Sequence, residues 1–367
     1  MRIAYDYQTF TQQTYGGISR YYVRLAEQLS ADQQQVRIFA PFHRNRHVDE
    51  LPKGLLQGTQ LDKFPPRTAR LFSMWNRMVS KGSIDRWAPD VVHETYYAAK
   101  PSGDEHLPRV VTIHDMIHER FPQSFSRFDH SSDLKRASLA RADHIICISQ
   151  NTKRDLMELF GTPEEKISVI YHGFDQMKKA PVHIDSAPGT RPFLLYVGHR
   201  GGYKNFSGLV KAVASSERLL RDFDIVAFGG GGFTQEEQQM FTELKFKEGQ
   251  IRQVGGSDEN LGRLYDEAKA FVYPSVYEGF GLPPLEAMAH RCPVMSSNSS
   301  SMPEVISDAA AFFDPNNIDN IRDVLETELY SDTRLQDLVN KGVERLKHFS
   351  WDKCAKETLT AYHKAAG

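Results

Sequence analysis

No stretch restricts the fold of this chain more than Tyr273 to Ala289, YPSVYEGFGLPPLEAMA. The run before it, Lys269-Ala-Phe-Val-Tyr273, is short and apolar and is expected to form a buried strand. After it, Leu285 to His290 holds helix formers, and Pro283-Pro284 stands where proline is tolerated, at a helix start. Gly279, Phe280 and Gly281 therefore fall in a strand-to-helix turn, where glycine lets the backbone bend tightly and approach a ligand. The free N–H groups of Gly281 and Leu282, at the positive end of the helix, suit an anion. Two acids flank the turn, Glu278 in the loop and Glu286 in the first helical turn. Either one alone could be an exposed loop acid or a partner of the helix dipole.

Strand and helix patterns alternate along most of the chain, which predicts doubly wound parallel sheets. Expected strands include residues 1–5, 36–40, 90–93, 142–149, 167–171, 192–198 and 225–228. With 367 residues the chain is long enough for two cores. Residues 176–192 are rich in proline, charge and small side chains and mark an interdomain boundary. The expected division is 1–178, a linker at 179–192, a second domain at 193–350, and a last helix at 351–367. A formal net charge of −2 gives no case for nucleic acid. Three widely spaced cysteines indicate neither a disulfide framework nor a zinc site, and a reducing cytoplasm fits them. Residues 1–15 have no apolar core of signal-peptide length, and no run of apolar residues is long enough to span a bilayer.

Other candidates lie at turns. Gly16-Gly17, ahead of a helix expected from Ile18 to Leu29, can meet a phosphate or sugar, or can be a plain tight turn. Arg109-Val-Val-Thr-Ile-His114-Asp115 is a buried strand that ends in polar residues, and ligands of open parallel sheets gather at that end. Arg200 and Lys204 occupy a glycine-containing strand-to-helix loop, where cations would neutralise a diphosphate. Gly229 to Gly232 follow a strand but lack the spacing of a dinucleotide fingerprint, which removes the dehydrogenase reading. Residues 63–88 carry six Lys or Arg with interleaved aromatics and one acid, Asp85. Leu71, Trp75 and Met78 form a helical stripe there. This segment either lies on an anionic membrane surface or is an ordinary helix with its stripe packed on the sheet.

The segment Glu278-GFGLPPL-Glu286, within PS-x-YEGFGLP-x-LEAMA, resembles the signature of retaining glycosyltransferases of the GT-B fold, family 4. The resemblance implies two facing Rossmann-like domains, with an acceptor-binding first domain and a nucleotide-sugar-binding second domain, and a C-terminal helix that crosses back to the first. It implies a nucleotide-sugar donor, no cofactor and no metal. In family members a histidine at the place of His114 faces the donor sugar, and Asp115, Met116 and Arg120 would shape the acceptor side. Val254-Gly255 resembles the segment that holds the base through backbone contacts. Where relatives carry adjacent Arg-Lys, this chain has Tyr203-Lys204, so the arginine's part is expected to pass to Arg200. Glu278 would orient sugar hydroxyls and Glu286 ribose hydroxyls. Gly16, Gly17, Gly279, Phe280, Gly281 and Leu282 would complete the donor site. GGISRYYVRLAEQL and VVTIHDM resemble bacterial mannosyltransferases that use GDP-mannose, with UDP-sugars second. The expected acceptor is a surface glycan or lipid-linked saccharide, reached from the cytoplasm or the inner face of the membrane. A nucleotide-sugar epimerase, a phosphorylase and a nonenzymatic sugar-nucleotide sensor are the alternatives.

Overall fold

A computed structural model describes residues 1–61, 68–175 and 191–367. Most of the expected linker, residues 179–190, lies outside the described residues, as do Lys63 and Arg67. The chain forms two units, Met1–Gly173 with Ser350–Gly367, and Phe174–Phe349.

In the first unit the strands are β1 (Arg2–Tyr5), β2 (Gln35–His43), β3 (Leu56–Gln60), β4 (Val91–Glu94), β5 (Arg109–Ile113), β6 (His144–Cys147) and β7 (Ile167–Val169). They form one parallel sheet in the order β3-β2-β1-β4-β5-β6-β7. Both faces of a parallel sheet are covered by crossover helices, so its central strands carry unbroken apolar runs. β5 and β6 are buried at every position. The edge strand β3 was not expected: its sequence LQGTQ has no apolar alternation, and only its pairing with β2 makes it a strand.

The second unit holds β8 (Phe193–Val197), β9 (Asp224–Phe228), β10 (Ile251–Val254), β11 (Ala270–Tyr273), β12 (Val294–Ser297) and β13 (Ala311–Phe313). These too are parallel, in the order β10-β9-β8-β11-β12-β13. In both sheets the order reverses beside the first strand, between β1 and β4 and between β8 and β11. Loops leaving the carboxyl ends of such neighbours diverge to opposite faces and leave a crevice, which is where ligands bind in open α/β sheets.

The last helix, Trp351–Ala366, belongs to the first unit. Ser350 caps it by accepting from the Lys353 N–H at 3.2 Å. It packs on helix Gly17–Ala31, and the Tyr362 hydroxyl lies 2.9 Å from that of Tyr5 and 2.7 Å from His93 Nδ1. Gly173 makes this docking possible. A Cβ there would stand 2.4 Å from Trp351 Cδ2 and 2.6 Å from its Cα, so no larger residue fits.

Candidate active site

The strongest constellation in the second unit arises from its sheet order. The loop after β8 carries Tyr203-Lys204, and the loop after β11 carries Glu278, and these strands are neighbours at the reversal point. Lys204 Nζ donates to Glu278 at 2.7 Å (Oε1) and 2.9 Å (Oε2), a contact between residues 74 positions apart. Glu278 is buried and Lys204 half-buried, so the pair lies in reduced dielectric. Backbone bonds tie the two loops together: Val276 N–H donates to Tyr203 O at 2.7 Å, and Asn205 Nδ2 donates to Pro274 O at 3.2 Å. The Lys204 ammonium also lies over the rings of Tyr203 and Tyr273, at 5.5 and 5.8 Å. Burial and the nearby Glu278 push the Tyr273 phenol well above its ordinary pKa, which keeps it a neutral hydrogen-bonding group.

Beyond Glu278 the chain turns at Gly281, whose φ of 94° is open to glycine at little cost. A Cβ at Gly281 would also meet Met302 Cε at 2.4 Å. Helix Leu282–Ala289 follows, with Pro283 and Pro284 in its first turn, as the proline pair predicts. Glu286 projects from this helix and accepts from the Tyr265 hydroxyl at 3.3 Å.

A serine run after β12 buttresses the glutamate loop, and nothing in its composition alone pointed to this. Ser300 Oγ accepts from Glu278 N–H at 3.1 Å and donates to Glu278 O at 2.6 Å. Ser301 Oγ donates to Glu278 O at 2.9 Å and Phe280 O at 3.2 Å, and Ser299 Oγ to Val276 O at 2.8 Å. The one available signal was position: SSNSSS follows a strand at its carboxyl end.

The structure corrects three sequence-based assignments. Arg200 is not free for a diphosphate, because all five guanidinium donors are used. Its Nε and Nη2 donate to Glu237 at 2.7 and 3.1 Å, Nη1 to Gly229 O and Gly231 O at 3.1 and 3.0 Å, and Nη2 to Gly232 O at 2.8 Å. It is the plug of the four-glycine turn, in which Gly229, Gly230 and Gly231 all have positive φ. Met116, assigned to the acceptor side, is wholly buried among Val111, Ile113 and Leu139. Arg120, assigned likewise, is tied to Asp155 at 2.6 Å and to Glu158 at 2.5 Å, which anchors its short helix to helix Gln150–Phe160. Asp115 is half-buried at the end of β5, and its Oδ1 accepts from Ile117 N–H at 3.1 Å.

The other expected positions are placed as follows. Gly16 precedes helix Gly17–Ala31, and the Gln13 side chain caps that helix by accepting from Ser19 N–H at 3.1 Å. A Cβ on Gly16 would collide with the Gln13 side chain. Val254 ends β10 with its carbonyl taken by Gly229 N–H at 2.9 Å, and Gly255 beyond it is exposed.

His114 follows β5 in the first unit and is buried, with no protein partner for Nε2 among the described residues. Its ring stacks on His172 at 6.0 Å and meets Tyr21 edge-on at 5.5 Å. Burial, helped by Lys135, pushes its pKa down to about 3, and burial, helped by His114, takes His93 and His172 to about 3 as well. All three are neutral at pH 7 and therefore present one N–H donor and one lone pair each. In the unfolded chain each titrates near its ordinary value of about 6.5. Between the two values the unfolded state binds more protons, so stability is complete above about pH 6.5 and falls as the pH drops towards 3. Calorimetry at pH 5, in buffers of different ionisation enthalpy, should find about three protons taken up through these groups as the first unit unfolds. The melting temperature should be lower than at pH 7.5. An uptake below about one proton would contradict the neutral cluster.

Two Rossmann-like parallel sheets, with a lysine–glutamate pair at one reversal point and a second glutamate on the helix behind a glycine turn, define a glycosyltransferase of the GT-B fold. Residues 15–177 match the family described as Glycosyltransferase Family 4, and residues 182–345 match Glycosyl transferases group 1. The chain belongs to this family of glycosyltransferases. It is 29% identical to O-antigen chain mannosyltransferase B of Escherichia coli over 370 residues, covering 94% of this chain and 95% of that one. Among solved structures it resembles sucrose-phosphate synthase of Thermosynechococcus elongatus, with a TM-score of 0.75 at 19% identity and coverage of 99% and 98%. It also resembles WaaG, a glycosyltransferase involved in lipopolysaccharide biosynthesis, with a TM-score of 0.71 at 16% identity and coverage of 97% and 98%. At these identities the two structures speak for the fold.

Proposed function

We propose that the protein is a retaining mannosyltransferase that moves mannose from GDP-mannose to a hydroxyl of a glycan or lipid-linked acceptor, forming an α-glycosidic bond without a metal. The observation that carries the reading is the Lys204–Glu278 pair at the β8/β11 reversal point. Breaking a sugar–diphosphate bond develops negative charge on the departing phosphate and positive charge on the sugar carbon. Two of the three ammonium protons of Lys204 are directed at Glu278, and the third is available to a phosphate oxygen. The N–H groups at Gly281 and Leu282 add donors that are already in place before the charge forms. Glu278, fixed by Lys204 and the serine clamp, orients sugar hydroxyls. Glu286, on the far side of the turn, accepts from ribose hydroxyls. His114, neutral at working pH, suits a hydroxyl partner better than an anion. The acceptor hydroxyl attacks on the face the diphosphate leaves, and the leaving phosphate oxygen takes its proton, so neither glutamate is needed as a nucleophile.

The choice of mannose, and of a glycan as acceptor, is supported by the name of the Escherichia coli relative, an O-antigen chain mannosyltransferase, and by similarity over nearly the full length of both chains. The test is calorimetric titration of GDP, UDP and ADP into the protein and into Glu286→Ala, with a chelator present. GDP should bind selectively, and the variant should bind it roughly ten- to a hundredfold more weakly, the loss of a charge-assisted hydrogen bond to ribose. Selective binding of UDP would replace the donor assignment, and a requirement for a divalent ion would overturn the metal-free chemistry.

A further inference from the structure

The first sheet has a reversal point of its own, and a cavity stands at it. β1 and β4 are neighbours there, and the loops leaving their carboxyl ends supply Tyr7 and Gln8 on one side and Tyr97 to Lys100 on the other. Arg44, which follows β2, and Arg77, on helix Ala69–Trp87, complete a volume of about 460 Å³. That volume falls in the range of small-molecule sites, and the crevice at a reversal point is where open α/β sheets take ligands. None of the residues assigned above to donor or acceptor lines it. Asp6, wholly buried, ties the two loops together by accepting from Gln8 Nε2 at 2.7 Å, Thr95 N–H at 2.9 Å and Ser102 Oγ at 2.7 Å. Arg44 is fixed to the same wall: its N–H donates to Phe10 O at 3.2 Å and its Nη2 donates to Gln12 O. Its Nε is buried with no protein partner among the described residues. A buried donor without an acceptor is costly, and a ligand oxygen would satisfy it.

Charge identifies the ligand class. Arg44, Arg77 and Lys100 line this one cavity, and among the described residues no carboxylate does. Arg77 and Lys100 are exposed, and neither has a carboxylate partner among those residues. Guanidinium forks fit phosphate oxygens in pairs, and three positive charges exceed what a single carboxylate would balance. Beside the cations, Tyr7 and Tyr97 offer what a sugar needs, flat apolar rings with hydroxyls at their ends. Burial, with Asp6 nearby, pushes the Tyr7 phenol up to about 12, so it stays a neutral hydrogen-bonding group. An adjoining cavity of about 440 Å³ shares Arg77 and Lys100 but is lined also by Asp104 and Glu105, so the surplus of positive charge belongs to the first.

We propose that this cavity binds a phosphate group carried by the acceptor saccharide, with Arg44, Arg77 and Lys100 on the phosphate oxygens and Tyr7 and Tyr97 along the adjoining sugar. The inference rests on the acceptor half of the function proposed above and not on the identity of the donor. The probe is α-mannobiose with a butyl diphosphate at its reducing end, titrated calorimetrically into the full chain. Methyl α-mannobioside and butyl diphosphate are titrated as controls. The phosphosaccharide should bind at least about tenfold more tightly than either control, and its affinity should fall as salt is raised. Arg77→Gln with Lys100→Gln should weaken it roughly ten- to a hundredfold, the loss of two charge-assisted contacts. The melting temperature should match the parent's, because both side chains are exposed. Arg44→Gln should weaken binding about tenfold, and if that variant fails to fold the double variant still decides. GDP titrated into the double variant should behave as in the parent. A parent that binds no nucleotide would sink the donor reading and leave the phosphosaccharide result standing. Failure of the phosphosaccharide to bind, or variants that bind it like the parent, would overturn the proposal. So would butyl diphosphate binding equally well, which makes the cavity a plain anion site, or the neutral glycoside doing so, which leaves the cations without a part.

Discussion

Lys204→Ala should reduce kcat/KM for the nucleotide-sugar donor by about 10²- to 10³-fold, equivalent to roughly 3–4 kcal/mol of transition-state stabilisation. Two losses combine in this variant. On the proposed mechanism the leaving phosphate loses a cation, and the buried Glu278 carboxylate loses the ammonium that holds it at 2.7 and 2.9 Å. Lys204→Arg keeps the charge but replaces a point donor with a planar fork that cannot meet both carboxylate oxygens and a phosphate in the same geometry. It should recover part of the activity and not all of it. Initial rates at saturating and limiting donor, with calorimetry of the free nucleotide, separate the effects. If the alanine variant kept more than about a tenth of the parental kcat/KM, Lys204 would not be the group that stabilises the leaving phosphate.

The second large effect concerns stability. Arg109 opens β5 wholly inside the first unit, with Nη1 3.3 Å from Glu94 Oε1 and 2.6 Å from Ser102 O. Arg141 Nη2 donates to the other oxygen of Glu94 at 2.5 Å. Burial raises the pKa of Glu94, and Arg141 is the leading influence against that rise, with Arg109 adding to it. Arg109→Met should cost about 3–5 kcal/mol, because it strips one partner from a charge out of reach of water. Denaturant unfolding followed by circular dichroism measures the loss. Adding Glu94→Gln to Arg109→Met should restore part of it, since the second substitution removes the stranded charge. A cost below about 1 kcal/mol would mean that water or rearrangement rescues Glu94 and that the network contributes little.

Most of the local geometry was legible in the residues. The strand, glycine turn and proline-led helix at 270–289 appear where the pattern placed them, and Gly281 has the positive φ that its position implied. The same holds for β5, which ends just before His114. What could not be read was which group each charged side chain would meet. Arg200 shares its glycine-rich loop with Lys204, yet one plugs a turn some thirty residues further along the chain while the other crosses to Glu278. Arg120 looked like a ligand-facing cation and is a tether, and of the two readings open for the 69–87 stripe the exposed one holds for Leu71, Trp75 and Met78.

The division has a physical cause. Strand, turn and helix depend on φ/ψ preferences, on bonds spanning a few residues and on the two periodicities of apolar side chains, all of which are written locally. The partners of a long charged side chain depend on which strands lie side by side. The reversal in strand order that sets β8 against β11 brings Lys204 to Glu278, 74 positions away, and pairing to β2 decides which face of helix 69–87 is covered. Residue types and their spacing suffice for the parallel α/β class, the glycine turn and the two glutamates. Strand order and packing settle which cation meets Glu278 and which apolar stripe is left outside the core.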